Sequence, residues 1–367
     1  MTLSSLLQPV SFAKLEGWTT DDHGKAFEAF RRSAVHAQEK PYNTGSLGIA
    51  SSAFAEAFAE APNSPLVGKD ARRFFERHFL PCRIMPDDAS SGFVTGFYEP
   101  QVAASPVRTP TFTVPLLGVP DDLVKIDDAN RPAGFDPYLA FGRQTPNGIV
   151  EYFDRAAIET GAIEGHAEAL AWLHDPVDAY FIHVQGAARL AMPDGSLKRV
   201  TYAAKSGQRF TGAGRVLIDL GELAAEDVTM QSIRAWLAQN PHRVSEILHH
   251  NRSYIFFREA DVDDPDLGPV AAAKVPLTAG RSLAVDRLLH TFATPFFISA
   301  PTLGAFGGDG FRRLMIAQDT GSAIVGSARG DLFAGSGEAA GEIAGVIRHP
   351  AEFFALVPRA LLAEHPS

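Results

Sequence analysis

Cysteine is nearly absent: the 367-residue chain holds one, Cys82. A single thiol excludes an intrachain disulfide framework and a cysteine-based zinc site. In its apolar setting it is expected to be a small buried side chain. Basic residues are also scarce. Lys plus Arg number 33 against 43 Asp plus Glu, a net charge of −10, and they form no run. That excludes a general nucleic-acid binder, which needs a clustered cationic face. No apolar run reaches the roughly 18 residues of a membrane helix. The opening residues, MTLSSLLQPVSFAKLEGW, lack a basic stretch, a full apolar core and a small-residue cleavage site, so no export signal is visible. HExxH, GxGxxG, a P-loop and GxSxG are all missing. His249 and His250 are adjacent and diverge on a helix, so no metal site is expected. The GAGR at Gly212–Arg215 precedes an expected strand and so fails the context of a dinucleotide loop.

What remains is an ordinary packing composition, 46% hydrophobic and 21% charged, with 32 Gly and 25 Pro. It predicts a turn-rich globular chain of about two domains, not a helical bundle. Asp21 and Asp22 can cap a first helix carrying Phe27, Phe30 and Ala34. Further helices are expected over about Leu47–Ala59 and around Phe74–Phe79. From about Gly92 the texture turns to short β-type runs broken by Gly and Pro: Gly92–Pro100, TFTVPLL, Ala179–Gly186, Arg215–Leu220 and Ser253–Glu259. Helices are expected near Met230–Gln239, Arg243–His250 and Glu338–Arg348. The acidic, Pro/Gly-containing stretch Asp261–Pro269 reads as a crossing between domains. The class expected is mainly β with peripheral helices.

Asp319-Thr320-Gly321, after apolar Leu314–Ala317, resembles the active loop of aspartic proteases. Those enzymes share one proton between two apposed carboxylates on paired loops, and this chain has one such triplet. A larger pattern accounts for it better. SLAVDRLLHTFATPFFI carries Asp286, IAQDTGSAIVG carries Asp319 and ARGDLFAGSG carries Asp331. Upstream, in order, stand TGFYEP, YFIHVQGAARLAMPDG, VTYAAKSGQRFTGAGRVLID, NRSYIFFRE and VPLTAGRSLAVDR. The whole, roughly Gly92–Gly345, resembles the membrane-bound lytic murein transglycosylase A family with its C-terminal three-aspartate domain. Two departures stand out: Gln185-Gly186-Ala187-Ala188 where the family has QGSG, and Ser206 in its YAAKNG.

The resemblance implies a discontinuous double-psi β-barrel domain, residues 1–100 and 266–367, with a second β-domain, 101–265, inserted and a substrate groove between them. It implies cleavage of the β-1,4 bond between N-acetylmuramic acid and N-acetylglucosamine without water, giving a 1,6-anhydro ring. Asp331 would be the general acid and then the base; Asp319 and Asp286 would support it. Asp319 is the neighbour expected to raise the acid's pKa. Asp286, beside Arg281 and Arg287, is expected in a structural ion pair. Thr95, Phe97, Tyr98, Gln185 and Gly186 are the candidate substrate contacts. No cofactor or metal is implied. The implied partner is peptidoglycan glycan strands, with no nucleic acid, a monomeric state, and a periplasmic or outer-membrane-associated location. A non-catalytic peptidoglycan-binding protein is the alternative, and an aspartic-type protease the remote one.

Overall fold

The structure is a computed structural model that describes residues 3–63, 65–86, 91–260 and 264–363. The chain divides into two compact units, Met1–Tyr98 with Asp264–Ser367, and Glu99–Asp263. The architecture is mostly β with helices. Residues 261–263 of the expected crossing lie outside the described residues.

In the first unit, helix α1 (His23–Glu39) starts where the Asp22 side chain accepts from the Lys25 amide, satisfying one of the orphan N–H groups of its first turn. It buries Ala26, Phe27, Phe30 and Ala34. Helix α2 (Gly68–His78) sets Phe74 edge-on to Phe27, with centroids 5.0 Å apart. The expected helix over Leu47–Ala59 is a 3-10 turn, Ser51–Phe54, leading into Ala55–Glu60.

Six strands form the core of this unit: β1 (Gly92–Glu99), β2 (Ser282–Val285), β3 (Pro295–Ala300), β4 (Phe311–Asp319), β5 (Arg329–Ser336) and β6 (Arg348–Pro358). Their pairing runs β6–β3–β4–β2–β5–β1, and β1 pairs again with β6, so the sheet closes on itself. Closure pairs both edges of each of these strands and fixes register. The early part of β6 pairs with β1, and its later part with the strand Phe79–Ile84. That strand carries Cys82, fully buried, its thiol pushed up to about 12 by burial. Helix α3 (Glu338–Gly345) lies against β1 at Gly96, where an added Cβ would come within 2.6 Å of Ile347 and 2.9 Å of Ala344. Gly96→Ala is expected to cost about 1–3 kcal/mol through this overpacking, measurable as a lower urea midpoint.

The second unit has a six-stranded sheet in the order Ile255–Ala260, Leu197–Lys205, Ala187–Ala191, Gln101–Ser105, Ala169–Leu173, Val114–Leu117, and a separate three-stranded sheet. Two expected strands are helices here. Pro176–Gln185 is capped by the Asp175 side chain, has Pro176 in its first turn and ends on left-handed Gly186. Val177 and every residue from Ala179 to His183 are buried, so the run shows no periodicity and only its caps tell helix from strand. Arg215–Leu220 falls largely in the helix Ala213–Asp219, which buries Ala213, Val216 and Leu217 at i, i+3, i+4 and pairs Arg215 with Asp219 at 2.9 Å. GAGR therefore opens a helix.

Candidate active site

Strand β2 lies between β4 and β5, and its residue Ala284 is the register partner of Asp319 on one side and Asp331 on the other. The β2–β4 register shifts by one residue at Gln318, just before this pair, and that irregularity brings Asp319 opposite Ala284, with Asp331 opposite it on the other side. With strands about 4.8 Å apart, the two residues sit two strand spacings from one another. The alternate residues Leu283 and Leu332 belong to the unit's main core. On β1 the same alternation puts Thr95 and Phe97 on one face and Tyr98 on the other. Thr95 Oγ1 donates to Asp331 Oδ1 at 2.6 Å, and Arg329 Nη2 donates to Thr95 Oγ1 at 2.7 Å. Asp319 Oδ1 accepts from the Ala272 amide at 3.2 Å.

Both carboxyl groups are half-buried, and both are held above the usual carboxylate range. Burial is the largest cause for Asp331, opposed by the Thr95 hydrogen bond and the Arg329 charge. Burial also pushes Asp319 up to about 6, against the Thr320 and Ala272 amides, with the Asp331 charge adding a little. Withdrawal from water, and not a neighbouring carboxylate, is thus what holds the Asp331 carboxyl up. Because Asp319 titrates higher folded than unfolded, its contribution to stability is largest at low pH and is lost as pH rises through about 6. Asp319→Asn is therefore expected to match wild type near pH 4 and to exceed it by on the order of 2 kcal/mol at pH 8. Urea melts at both values check this; equal curves at pH 8 would refute it.

Asp286 departs from expectation. Its Oδ1 accepts from the Leu288 amide and its Oδ2 from the Gly326 amide, both at 3.0 Å. Arg281 instead pairs with Asp21, 260 residues away, through two 2.8 Å bonds in a buried setting. Asp286 holds a turn and is not in an ion pair with Arg281. Between β4 and β5 the residues Ser322–Val325 form a turn and irregular loop, with Val325 exposed. Tyr98 is 7% exposed and its ring lies on Gly341, a packing position. Phe97 is half-buried, 5.2 Å from Phe333. Gln185 ends a helix of the second unit and Gly186 is its C-cap at φ 79°.

Sequence reasoning passed over Arg329, Arg348 and Glu99. Arg348 stands opposite Thr95 on β6. Buried Glu99 accepts from Arg189 at 2.8 Å and Arg199 at 2.6 Å. Its signal was available: a carboxylate in the matched TGFYEP segment, ending a strand of otherwise uncharged residues. Two cavities lie away from Asp319 and Asp331. One, of about 590 Å³, lies around Arg281 and Arg313; the other, of about 600 Å³, around Trp172 and His183. Asp121, Asp122 and His166 place ligand atoms within 4.8 Å, but His166 is hydrogen-bonded to Asp121 and Asp122 accepts from Tyr152.

Residues 93–258 match the MltA specific insert domain and residues 281–357 the 3D domain. A crystal structure of membrane-bound lytic murein transglycosylase from Agrobacterium tumefaciens is 49% identical with a TM-score of 0.92, covering 98% of this chain and 99% of that one. The chain belongs to the membrane-bound lytic murein transglycosylase A family. MltA from Neisseria gonorrhoeae gives a TM-score of 0.78 at 32% identity, over 96% of this chain and 92% of that one. Membrane-bound lytic murein transglycosylase A of Escherichia coli K12 is 31% identical over 261 residues, 70% of this chain but 62% of that relative's length. Both matched domains are those of the family, and the 3D domain contains Asp286, Asp319 and Asp331. Among the described residues no helix is long and apolar enough to cross a membrane.

Proposed function

We propose that this MltA-family chain is a lytic transglycosylase of peptidoglycan, with Asp331 as its one acid–base group. The observation that carries the reading is a carboxyl group raised by burial, whose Oδ1 is occupied by the Thr95 hydroxyl. Protonated Asp331 gives its proton to the glycosidic oxygen as the bond to the anomeric carbon breaks. The carboxylate then takes the proton of the sugar's own 6-hydroxyl as that oxygen closes on the anomeric carbon. No water is consumed, and Asp331 ends as it began. The closed six-stranded ring supports a double-psi barrel, and Phe97, Gln185 and Gly186 are the glycan contacts proposed. The domain limits proposed are 1–100 with 266–367, and 101–265. Asp319 supports the acid by adding to the negative field, Asp286 by holding the turn before β5. A cell-envelope location follows from the substrate.

A second raised carboxyl group across Ala284 also suits an inverting hydrolase, in which Asp319 would activate water. Mass spectrometry of digested murein sacculi separates the readings. The transglycosylase gives 1,6-anhydromuropeptides; a hydrolase gives reducing ends heavier by one water; intact sacculi would point to binding without catalysis. The acid form is lost as pH rises through the raised Asp331 value, so the rate of bond breaking should fall on the alkaline side.

A further inference from the structure

We propose that Arg329 is a positioning residue that, through Thr95, assigns the transferable proton of Asp331 to its Oδ2 oxygen. The inference rests on the transglycosylase reading for its kinetic consequences, though not for its geometry. A threonine hydroxyl has one proton to give and two lone pairs to receive with, whereas a guanidinium can only donate. Arg329 Nη2 occupies a lone pair of Thr95 Oγ1 at 2.7 Å, so the one hydroxyl proton points along the 2.6 Å bond to Asp331 Oδ1. With Oδ1 accepting, a proton carried by Asp331 resides on Oδ2, the oxygen left for substrate. Remove Arg329 and the hydroxyl can rotate to accept, which lets the acid proton settle on Oδ1 and point away from the scissile bond.

Arg329 is itself held in place. Its Nη1 donates to the Gly330 carbonyl beside it, and its guanidinium stands 5.7 Å from the Phe93 ring centroid. Phe93 and Thr95 are two apart on β1 and share a face. The guanidinium is partly withdrawn from water, which lowers its own pKa, while the Asp331 charge opposes that. The charged groups around Asp331 are Arg329 on its own strand, Asp319 on β4 across Ala284, and Arg348 opposite Thr95 on β6. Arg329 acts both by orienting the hydroxyl and by favouring the ionised carboxylate, so its loss should raise the Asp331 titration point.

The test is a double-mutant cycle on the full chain. Arg329→Leu and Thr95→Val are each expected to lower kcat about 10-fold to 100-fold, the range for a hydrogen bond in a charged network, with KM little changed. On the pH-independent part of the profile the double variant should be no slower than Thr95→Val, because there Arg329 acts through that hydroxyl and its direct charge effect on Asp331 only moves the limb. Thr95→Ser should recover most of the Thr95→Val loss. The alkaline limb of the rate–pH profile should move upward in Arg329→Leu. Additive losses, or an unmoved profile, would overturn the proposal. Should Arg329→Leu melt early, Arg329→Gln, which keeps an N–H donor without the charge, should retain kcat while moving the profile. A second readout needs no activity: ¹³C NMR titration of the Asp331 carboxyl should shift upward in Arg329→Leu. No shift there refutes the inference, whereas a wild-type protein releasing no anhydromuropeptide refutes only the transglycosylase reading.

Discussion

Asp331→Asn should lower the rate of murein solubilisation by about 10²–10⁴-fold, the usual worth of a general acid, and by more if the same group also serves as base. Asparagine keeps the size of the side chain and an oxygen to receive the Thr95 hydroxyl, so binding to insoluble murein should persist. Folding should also survive. A carboxyl raised by burial is a cost in its ionised form, and a neutral amide removes that cost, so the variant should melt at or above the wild-type midpoint near neutral pH. Release of anhydromuropeptides, a sacculus pull-down and a thermal melt together check the prediction. Retention of more than about a tenth of the wild-type rate would place the acid elsewhere, with Asp319, also raised, the next group to test.

The largest stability effect is expected in the second unit. Arg189 and Arg199 are direct register partners on neighbouring antiparallel strands, both buried. Like charges placed opposite one another repel. Glu99, itself fully withdrawn from water, lies between them: its Oε2 accepts from Arg189 at 2.8 Å, and its Oε1 and Oε2 accept from Arg199 at 2.6 and 3.1 Å. Glu99→Ala would leave two facing buried cations without their shared anion and should cost about 3–5 kcal/mol, seen as a lower urea midpoint. Glu99→Gln keeps one of the two acceptor oxygens without the charge and should fall between. Replacing all three groups, Glu99→Leu with Arg189→Met and Arg199→Met, should recover most of the loss, because a packed apolar triad has no charge to desolvate. A triple variant as unstable as Glu99→Ala would mean that the cluster acts through shape and not charge.

Local signals in the sequence determined a good deal. The Asp22 cap and the stripe of Phe27, Phe30 and Ala34 specify α1, because capping and helical periodicity are properties of neighbours in the chain. Ordered motifs from TGFYEP to DLFAG placed the chain in its family, and the single cysteine in an apolar run foretold a buried thiol. Tertiary structure decided the rest. Periodicity reports burial on one face, so it was silent for Ala179–His183, buried all round, and an adjacent-charge argument misplaced Arg281, whose partner Asp21 is 260 residues away. Asp319 and Asp331 are 12 residues apart in sequence, yet no turn between them makes them neighbours. They flank Ala284 because β2 inserts between their strands, parallel to one and antiparallel to the other. The same ring closure seats β1, with Thr95, beside Asp331 and Arg329. Which hydroxyl meets which carboxyl depends on the pairing of strands over 230 residues apart, and short-range pattern carries no information about that.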